Sequence, residues 1–163
     1  MATSALDLPE GYYAIRDPHT PDLFSYWRRH DAKTRRGTRP EFTAWPPKAR
    51  TGPILYKADV PADLHGRARA EWVNTWYGKH RAPYTAAVVD TIASDPIAAG
   101  RRFAALTVRC CQCGRALRDA LSKAYGIGPD CREGIPAEIL ALYFTPRVGR
   151  AHADHEAGKA ASR

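Results

Sequence analysis

Residues 110–131 read CCQCGRALRDALSKAYGIGPDC, and this stretch holds all four cysteines of the 163-residue chain. Two residues separate Cys110 from Cys113, which allows a tight turn in which both sulfur atoms face one ion. Gly114 follows and tolerates the unusual dihedral angles at the end of such a turn. Seventeen residues lie between Cys113 and Cys131, within the usual range for the second half of a zinc site. The spacing therefore predicts a Zn²⁺ site at Cys110, Cys113 and Cys131.

The spacing leaves the fourth ligand open, because a second pair of cysteines two residues apart is absent. Cys111 is the nearest spare thiol, but in a regular turn its side chain points away from that of its neighbour. The candidates for the fourth position are Cys111, His80, His152, His155, Asp130 or a water molecule. The alternative interpretation is a group of buried thiols that bind no metal.

The metal site is expected to be structural. No H-x-E sequence precedes Cys110, as a zinc deaminase would require, and His155-Glu156 lacks the second histidine of a metalloprotease helix. Three thiolate ligands also donate enough charge to make the ion a poor Lewis acid. No phosphate-cradling loop, nucleotide-binding glycine pattern or paired-carboxylate pattern accompanies the cysteines, so we expect that the protein is not an enzyme.

Composition narrows the class of protein. The chain is 44% hydrophobic and carries a net charge of +8, and 19 of its 25 basic residues are arginine. No apolar run is long enough for a membrane span, and the first ten residues lack the features of a secretion signal. Clustered cysteines without a secretion signal indicate metal binding rather than disulfides. We therefore expect a cytoplasmic protein with phosphate-bearing partners and no membrane association.

The predicted fold class is α+β, in four segments. Residues 1–60 form a small β-rich segment, with strands expected at 12–15, 23–27, 41–45 and 54–56. Residues 61–107 are helical, with helices expected at 67–77, 83–92 and 96–106. Residues 108–146 form a metal-stapled, zinc-finger-like helical segment with helices at 119–125 and 136–144, and 147–163 form a flexible tail. Trp72 and Trp76, four residues apart, are assigned to the core.

A basic stretch lies between the second and third predicted strands. Residues 28–39 are expected to form a long hairpin loop with six positive charges and one negative charge. Cations beside aromatic residues are typical of proteins that bind single-stranded nucleic acid, although the aromatic rings themselves are expected to fill the core. The predicted nucleic-acid contacts here are Arg28, Arg29, Lys33, Arg35, Arg36 and Arg39.

The segment Gly126-Ile127-Gly128-Pro129 has two interpretations. In the first, the amides of Gly126 and Gly128 bind a phosphate, as in a helix-hairpin-helix motif, with Arg115 and Lys123 adding positive charge. In the second, Gly126 ends a helix in the left-handed conformation and Gly128-Pro129 turns the chain so that Cys131 reaches the metal. The second interpretation is simpler, and the two are compatible.

The pattern C-x-x-C-G-R-x-L, then Ser122, then G-I-G-P-x-C resembles a small zinc-finger-like family of unknown function from actinobacteria and their phages. The resemblance covers about 22 residues, from Cys110 to Cys131. It implies a zinc site at Cys110, Cys113 and Cys131 and implies no reaction. This chain departs from the family pattern at Cys111 and at Arg118, which replaces a threonine.

Two functions follow as hypotheses. The first is a basic, zinc-containing, phage-type accessory protein that binds DNA or RNA through its basic loop and its zinc-finger-like end. The alternative is an inhibitor or adaptor that binds a host nucleic-acid-processing or defence protein complex. In either case a phage-encoded protein would act in the host cytoplasm.

Overall fold

The sheet that organises this molecule has three antiparallel strands in the order β1-β2-β3. In the computed structural model, which describes residues 4–145, the strands are β1 (Gly11–Arg16), β2 (Phe24–Thr34) and β3 (Gly37–Ala44). Aromatic and β-branched residues favour these strands because their side chains pack well on a pleated surface. The predicted tail at 147–163, with His152 and His155, lies outside the described residues.

The basic stretch is not a long loop, as predicted, but the outer half of a β-hairpin. Strands β2 and β3 pair from Trp27 with Ala44 out to Thr34 with Gly37, so only Arg35 and Arg36 form the turn. Strand β1 pairs with β2 only as far as Arg29. Residues 30–41 therefore project past β1 as a two-stranded ribbon, which we call the basic ribbon.

Within residues 4–145, six α-helices follow the sheet. They are α1 (Gly66–Trp76), α2 (Ala82–Ser94), α3 (Pro96–Thr107), α4 (Ala120–Tyr125), α5 (Pro129–Arg132) and α6 (Ala137–Tyr143). The predicted start of α3 is confirmed, because the Asp95 carboxylate accepts a hydrogen bond from the Ala98 amide at 2.9 Å. Across residues 4–145, no helix has both the length and the apolar character that a membrane crossing requires.

Several local predictions were wrong. Gly78 does not end the first helix, because a π-helical turn at Tyr77–Arg81 joins α1 directly to α2. Helix α1 has no buried residue, so Trp72 and Trp76 are partly exposed rather than part of the core. The predicted strand at 54–56 is irregular.

Apolar side chains cover both faces of the sheet. One core cluster joins Tyr13, Ile15 and Trp27 of the sheet to α2, whose buried members are Tyr84, Val88, Val89 and Ile92. The other cluster joins Tyr12 and Ala14 to Phe103 of α3 and to the cysteine segment. The predicted α+β fold class is confirmed, with the cysteine segment packed as part of the second cluster.

The outer edge of β1 is bonded to the cysteine segment and to α3. The Tyr12 amide donates to the Cys111 carbonyl at 2.7 Å, and the Arg102 guanidinium donates to the Ala14 carbonyl at 2.9 Å. These bonds satisfy backbone groups that an open sheet edge would leave unpaired. They also hold the cysteine segment at a fixed position beside the sheet.

Candidate metal centre

A small hairpin carries the first two cysteines. Helix α3 ends at Thr107, and its C-cap Val108 adopts the left-handed conformation with φ 55°. The chain then folds back so that the Cys110 amide donates to the Arg115 carbonyl at 2.8 Å and the Leu117 amide to the Val108 carbonyl at 2.9 Å. The Gly114 amide closes the turn by donating to the Cys110 carbonyl at 2.8 Å. We call residues 108–117 the cysteine hairpin.

Gly114 is required at the end of this turn for two reasons. Its φ is +76°, a conformation that side chains disfavour, and an added Cβ would lie 2.7 Å from Cζ of Tyr12. The Tyr12 ring is 8% exposed and lies directly beneath the turn. The prediction that glycine is needed here is confirmed, and the sheet supplies an additional steric reason.

A helix and a glycine turn bring the third cysteine to the first two. The Asp119 carboxylate caps α4 by accepting from the Ser122 amide at 2.8 Å, and Gly126 ends this helix with φ 69°. Gly128 is then the N-cap of α5, whose third residue is Cys131. The predicted role of Gly126 as the left-handed end of this helix is confirmed.

The resulting geometry fits a tetrahedral metal ion. The Sγ atoms of Cys110, Cys113 and Cys131 all lie within 4.8 Å of one another. Thiolates on one zinc ion lie about 3.8 Å apart, because each Zn–S bond is about 2.3 Å. The Gly128 amide also donates to Cys110 Sγ at 3.3 Å, the kind of hydrogen bond that orients a metal ligand. The three cysteines can therefore hold a metal ion.

The thiols differ in their readiness to ionise. Burial opposes ionisation of Cys110, but the amides of Gly128, Cys113 and Gln112 outweigh burial and lower its pKa. Burial and the negative charge of Cys110 raise the pKa of Cys131 to about 12. Crowded thiolates thus repel one another, and a divalent cation relieves that repulsion by replacing their protons.

Cys111 belongs to the core rather than to the metal centre. Its side chain is 2% exposed and packs against Gly100 of α3, where an added Cβ would be 3.5 Å from the Cys111 sulfur. Burial and the neighbouring Cys110 raise its pKa to about 12, which suits a neutral thiol. The expectation that this side chain points away from the turn agrees with its place in the structure.

Two other candidates for the fourth ligand are not among the close sulfur atoms. Asp130 lines the cavity beside the cysteines, but it is exposed and pairs with Arg115 at 3.3 Å. The ring of His80 lies 5.1 Å from that of Trp76 on the helical turn after α1. Within residues 4–145, the group of close ligands contains the three cysteines alone. A cavity of about 320 Å³ adjoins the three sulfur atoms, with Arg115, Leu117 and Pro129 in its wall, and leaves room for a fourth ligand.

The backbone amides of Gly126 and Gly128 donate hydrogen bonds within the candidate metal centre. The Gly126 amide donates to the Ser122 carbonyl as a helix cap, and the Gly128 amide donates to Cys110 Sγ. The Gly126 carbonyl also accepts from the Cys111 amide at 2.9 Å. This arrangement favours the interpretation of the turn as a support for the metal site over its interpretation as a phosphate cradle.

The predicted nucleic-acid residues divide into exposed and internally paired groups. Lys33, Arg35 and Arg36 are exposed at the tip of the basic ribbon and form no ion pair with any carboxylate of residues 4–145. The others have internal contacts: Arg29 with Glu10 and Asp31, Arg39 with Glu41, Arg115 with Asp130, and Arg28 over the Tyr12 ring. Lys123 is 8% exposed and lies away from the ribbon tip, in the wall of a separate cavity.

The structure adds one basic residue that sequence reasoning missed. The Arg109 guanidinium lies 5.9 Å from the centre of the Trp45 ring and donates to the Gly114 carbonyl at 3.0 Å. Arg28 lies 5.3 Å above the Tyr12 ring, and Tyr12 touches both Trp45 and the end of the cysteine turn. Cations over aromatic rings therefore connect the base of the ribbon to the cysteine hairpin.

Comparison with known proteins identifies the cysteine region alone. The model of a family of unknown function, DUF6011, matches residues 100–136, from α3 through α5. No curated protein and no solved structure matches the chain. The family match covers the residues on which the resemblance rests, and the actinobacterial or phage origin of the chain stays a prediction.

Proposed function

We propose that this chain is a zinc-containing, basic accessory protein that binds nucleic acid through its basic ribbon and its zinc-finger-like end. The observation that carries the proposal is the ribbon tip, where three exposed cations lack a carboxylate partner among the described residues. Unpaired surface cations on a projecting ribbon attract phosphates without first breaking internal ion pairs.

The metal would have a structural role in this function. Cys110, Cys113 and Cys131 would hold Zn²⁺, which supplies a cross-link between the cysteine hairpin and α5. Tyr12 lies against the turn at Gly114, where an added Cβ would be 2.7 Å from its Cζ, and Arg28 lies over the same ring, so a rigid hairpin would keep the basic surface in place. We propose a binding role and no catalytic one.

The surface between the ribbon and the hairpin supports a single continuous contact. Trp45 is partly exposed, and Arg109 and Tyr12 flank it. Guanidinium groups over aromatic rings keep their N–H groups available for phosphate while the rings remain packed. A strand of nucleic acid would lie from the ribbon tip across this surface toward Arg115.

The test compares two matched double variants of the full chain. Arg35→Ala with Arg36→Ala removes two charges from the ribbon tip, and Arg67→Ala with Arg69→Ala removes two from the exposed helix α1. Affinity for fluorescein-labelled single-stranded and double-stranded DNA is measured over a range of salt concentrations. The ribbon variant is expected to reduce the salt-dependence exponent on duplex DNA by about 2, because each lost phosphate contact removes about 0.9. An affinity equal to that of the α1 variant would overturn the proposal.

A protein partner is the second candidate function. Three aromatic residues at the end of α1 favour it, because Trp72 and Trp76 are partly exposed and Tyr77 is 49% exposed. Exposed tryptophan and tyrosine residues are enriched at protein interfaces. After nuclease treatment, a stoichiometric partner retained by the wild type and lost by Trp76→Ala would support an adaptor or inhibitor. If the wild type and Trp76→Ala both retain the partner, the aromatic surface at the end of α1 is not the binding site.

A further inference from the structure

A cavity of about 320 Å³ lies between α3 and α4, apart from both the cysteines and the basic ribbon. Arginines and alanines of α3 form one side, and α4, its glycine cap and Thr145 form the other. The described lining residues are Ala98, Arg101, Arg102, Ala104, Ala105, Lys123, Ala124, Tyr125, Gly126 and Thr145. Its volume is in the range of small-molecule sites.

The charge around this cavity has one sign. Arg101, Arg102 and Lys123 contribute three cations, and no aspartate or glutamate is among the described lining residues. Neither arginine forms an ion pair with a carboxylate of residues 4–145. Their recorded bonds go to neutral oxygens: Arg101 Nε donates to Thr145 Oγ1 at 3.0 Å, and Arg102 Nη1 to the Ala14 carbonyl at 2.9 Å.

These bonds orient the two guanidinium groups without neutralising them. Each guanidinium has five N–H donors, so most of its donors remain after one bond to a protein oxygen. Both arginines are partly buried, so water screens their charges less than at an open surface. An anion placed beside them would be stabilised by both guanidinium charges.

We propose that this cavity is an anion site that binds a phosphate group. Arginine matches phosphate because its planar fork makes paired, charge-assisted hydrogen bonds to two oxygens. The Thr145 hydroxyl adds a neutral polar group, and the alanines of α3 leave space beside the cations. The phosphate belongs either to a free mononucleotide or to the backbone of a bound nucleic acid. This site is additional to the ribbon of the proposed function.

The decisive variant places a carboxylate in the cavity. Ala105 lines the cavity and is exposed, so Ala105→Glu adds a negative charge without disturbing a buried contact. Ala70→Glu on the exposed surface of α1 is the matched control. Thermal unfolding of the full chain is followed with increasing inorganic phosphate, and with sodium chloride at equal ionic strength as the reference.

Phosphate is expected to raise the unfolding temperature of the wild type and of Ala70→Glu beyond the effect of chloride, since a ligand of the native state stabilises it. Ala105→Glu is expected to lower the apparent phosphate affinity about tenfold or more, because its carboxylate competes for the same donors. Arg101→Gln is expected to do the same with an unchanged metal content. Equal responses of the wild type to phosphate and chloride, or an undiminished response of Ala105→Glu, would overturn the proposal.

The source of the phosphate is identified with two further probes. If a deoxymononucleotide stabilises the wild type and not Ala105→Glu, while oligonucleotide affinity is the same in both, the ligand is a free nucleotide. If Ala105→Glu also weakens oligonucleotide binding, the ligand is a backbone phosphate. Either result supports the anion site, and the ribbon variants test the proposed function separately.

Discussion

The backbone amide of Gly128 donates to the Sγ atom of Cys110 at 3.3 Å, across 18 positions of the chain. This bond joins the glycine turn before α5 to the cysteine hairpin. It orients the Cys110 sulfur and, with other amides, lowers the pKa of that thiol despite its burial. The Gly-Ile-Gly-Pro turn is thus a supporting part of the candidate metal centre.

The first prediction separates the cysteines of the centre from the cysteine of the core. Cys131→Ser should abolish stoichiometric zinc binding, because a hydroxyl is a poor replacement for a thiolate ligand. Cys111→Ala should keep zinc binding and lose about 1 kcal/mol of stability, since it leaves only a small cavity beside Gly100. Elemental analysis and urea unfolding of both variants provide the measurement. Loss of zinc from Cys111→Ala with full retention in Cys131→Ser would reverse our ligand assignment.

The second prediction concerns Gly114. Gly114→Ala should destabilise the chain by about 2 kcal/mol or more, because φ is +76° and the new methyl group would contact Tyr12. Gly78→Ala is the control, since nothing lies within 4 Å of its Cβ position and helical alanine is favoured over glycine by about 0.5–1 kcal/mol. Urea unfolding followed by tryptophan fluorescence should therefore give changes of opposite sign. Equal stability of Gly114→Ala and the wild type would show that the turn is not constrained by Tyr12.

The third prediction concerns stability in acid. Burial alone would raise the pKa of Asp17, but the Tyr84 hydroxyl at 2.5 Å and the amides of His19 and Thr20 outweigh it and lower the pKa. The stabilisation is therefore complete above the pKa of an unfolded aspartate, about 4, and is lost as pH falls through the lower folded value.

Asp17→Asn should lower the free energy of unfolding by about 1.5–3 kcal/mol near neutral pH, because it removes charge-assisted hydrogen bonds. The difference from the wild type should shrink below about pH 4. Asp22→Asn at an exposed position is the control. Urea unfolding across this pH range measures the effect, and a difference that is constant with pH would refute the assignment to Asp17 ionisation.

The sequence predicted the elements whose signals are local. Asp95 and Asp119 are side-chain caps followed by helix-forming residues, and Gly126 provides a left-handed helix end, so α3 and α4 are found nearly as expected. The basic ribbon was missed because charged residues obscure the apolar alternation of a strand, whereas pairing with β3 determines its structure.

The continuation of α1 into α2 was missed for a different reason. Gly78 and Pro83 both indicate a break between two helices. Proline has no backbone N–H to donate to the preceding helical turn. A widened π-helical turn at Tyr77–Arg81 precedes the proline and lets the helix continue. The partial exposure of Trp76 was equally unpredictable from spacing, because helical periodicity does not reveal which helix lacks a packing partner.

The cysteine site was more predictable than its surroundings. The spacing of Cys110, Cys113 and Cys131 identified three residues that the fold brings together. The cation-lined cavity was not visible in the sequence, because Arg101 and Lys123 become neighbours only when α3 packs on α4. Contacts across long sequence separations of this kind depend on the tertiary fold.

The central claim is that three cysteines hold one structural zinc ion, and elemental analysis of the full chain tests it most directly. The protein is purified in reducing buffer without chelator, and the zinc content per chain is measured. The number of thiols that react with a chromogenic reagent is then counted before and after a chelator is added. We predict one zinc ion per chain and protection of Cys110, Cys113 and Cys131 until the chelator is added. A folded chain that contains no metal and whose exposed thiols react at once would contradict the account.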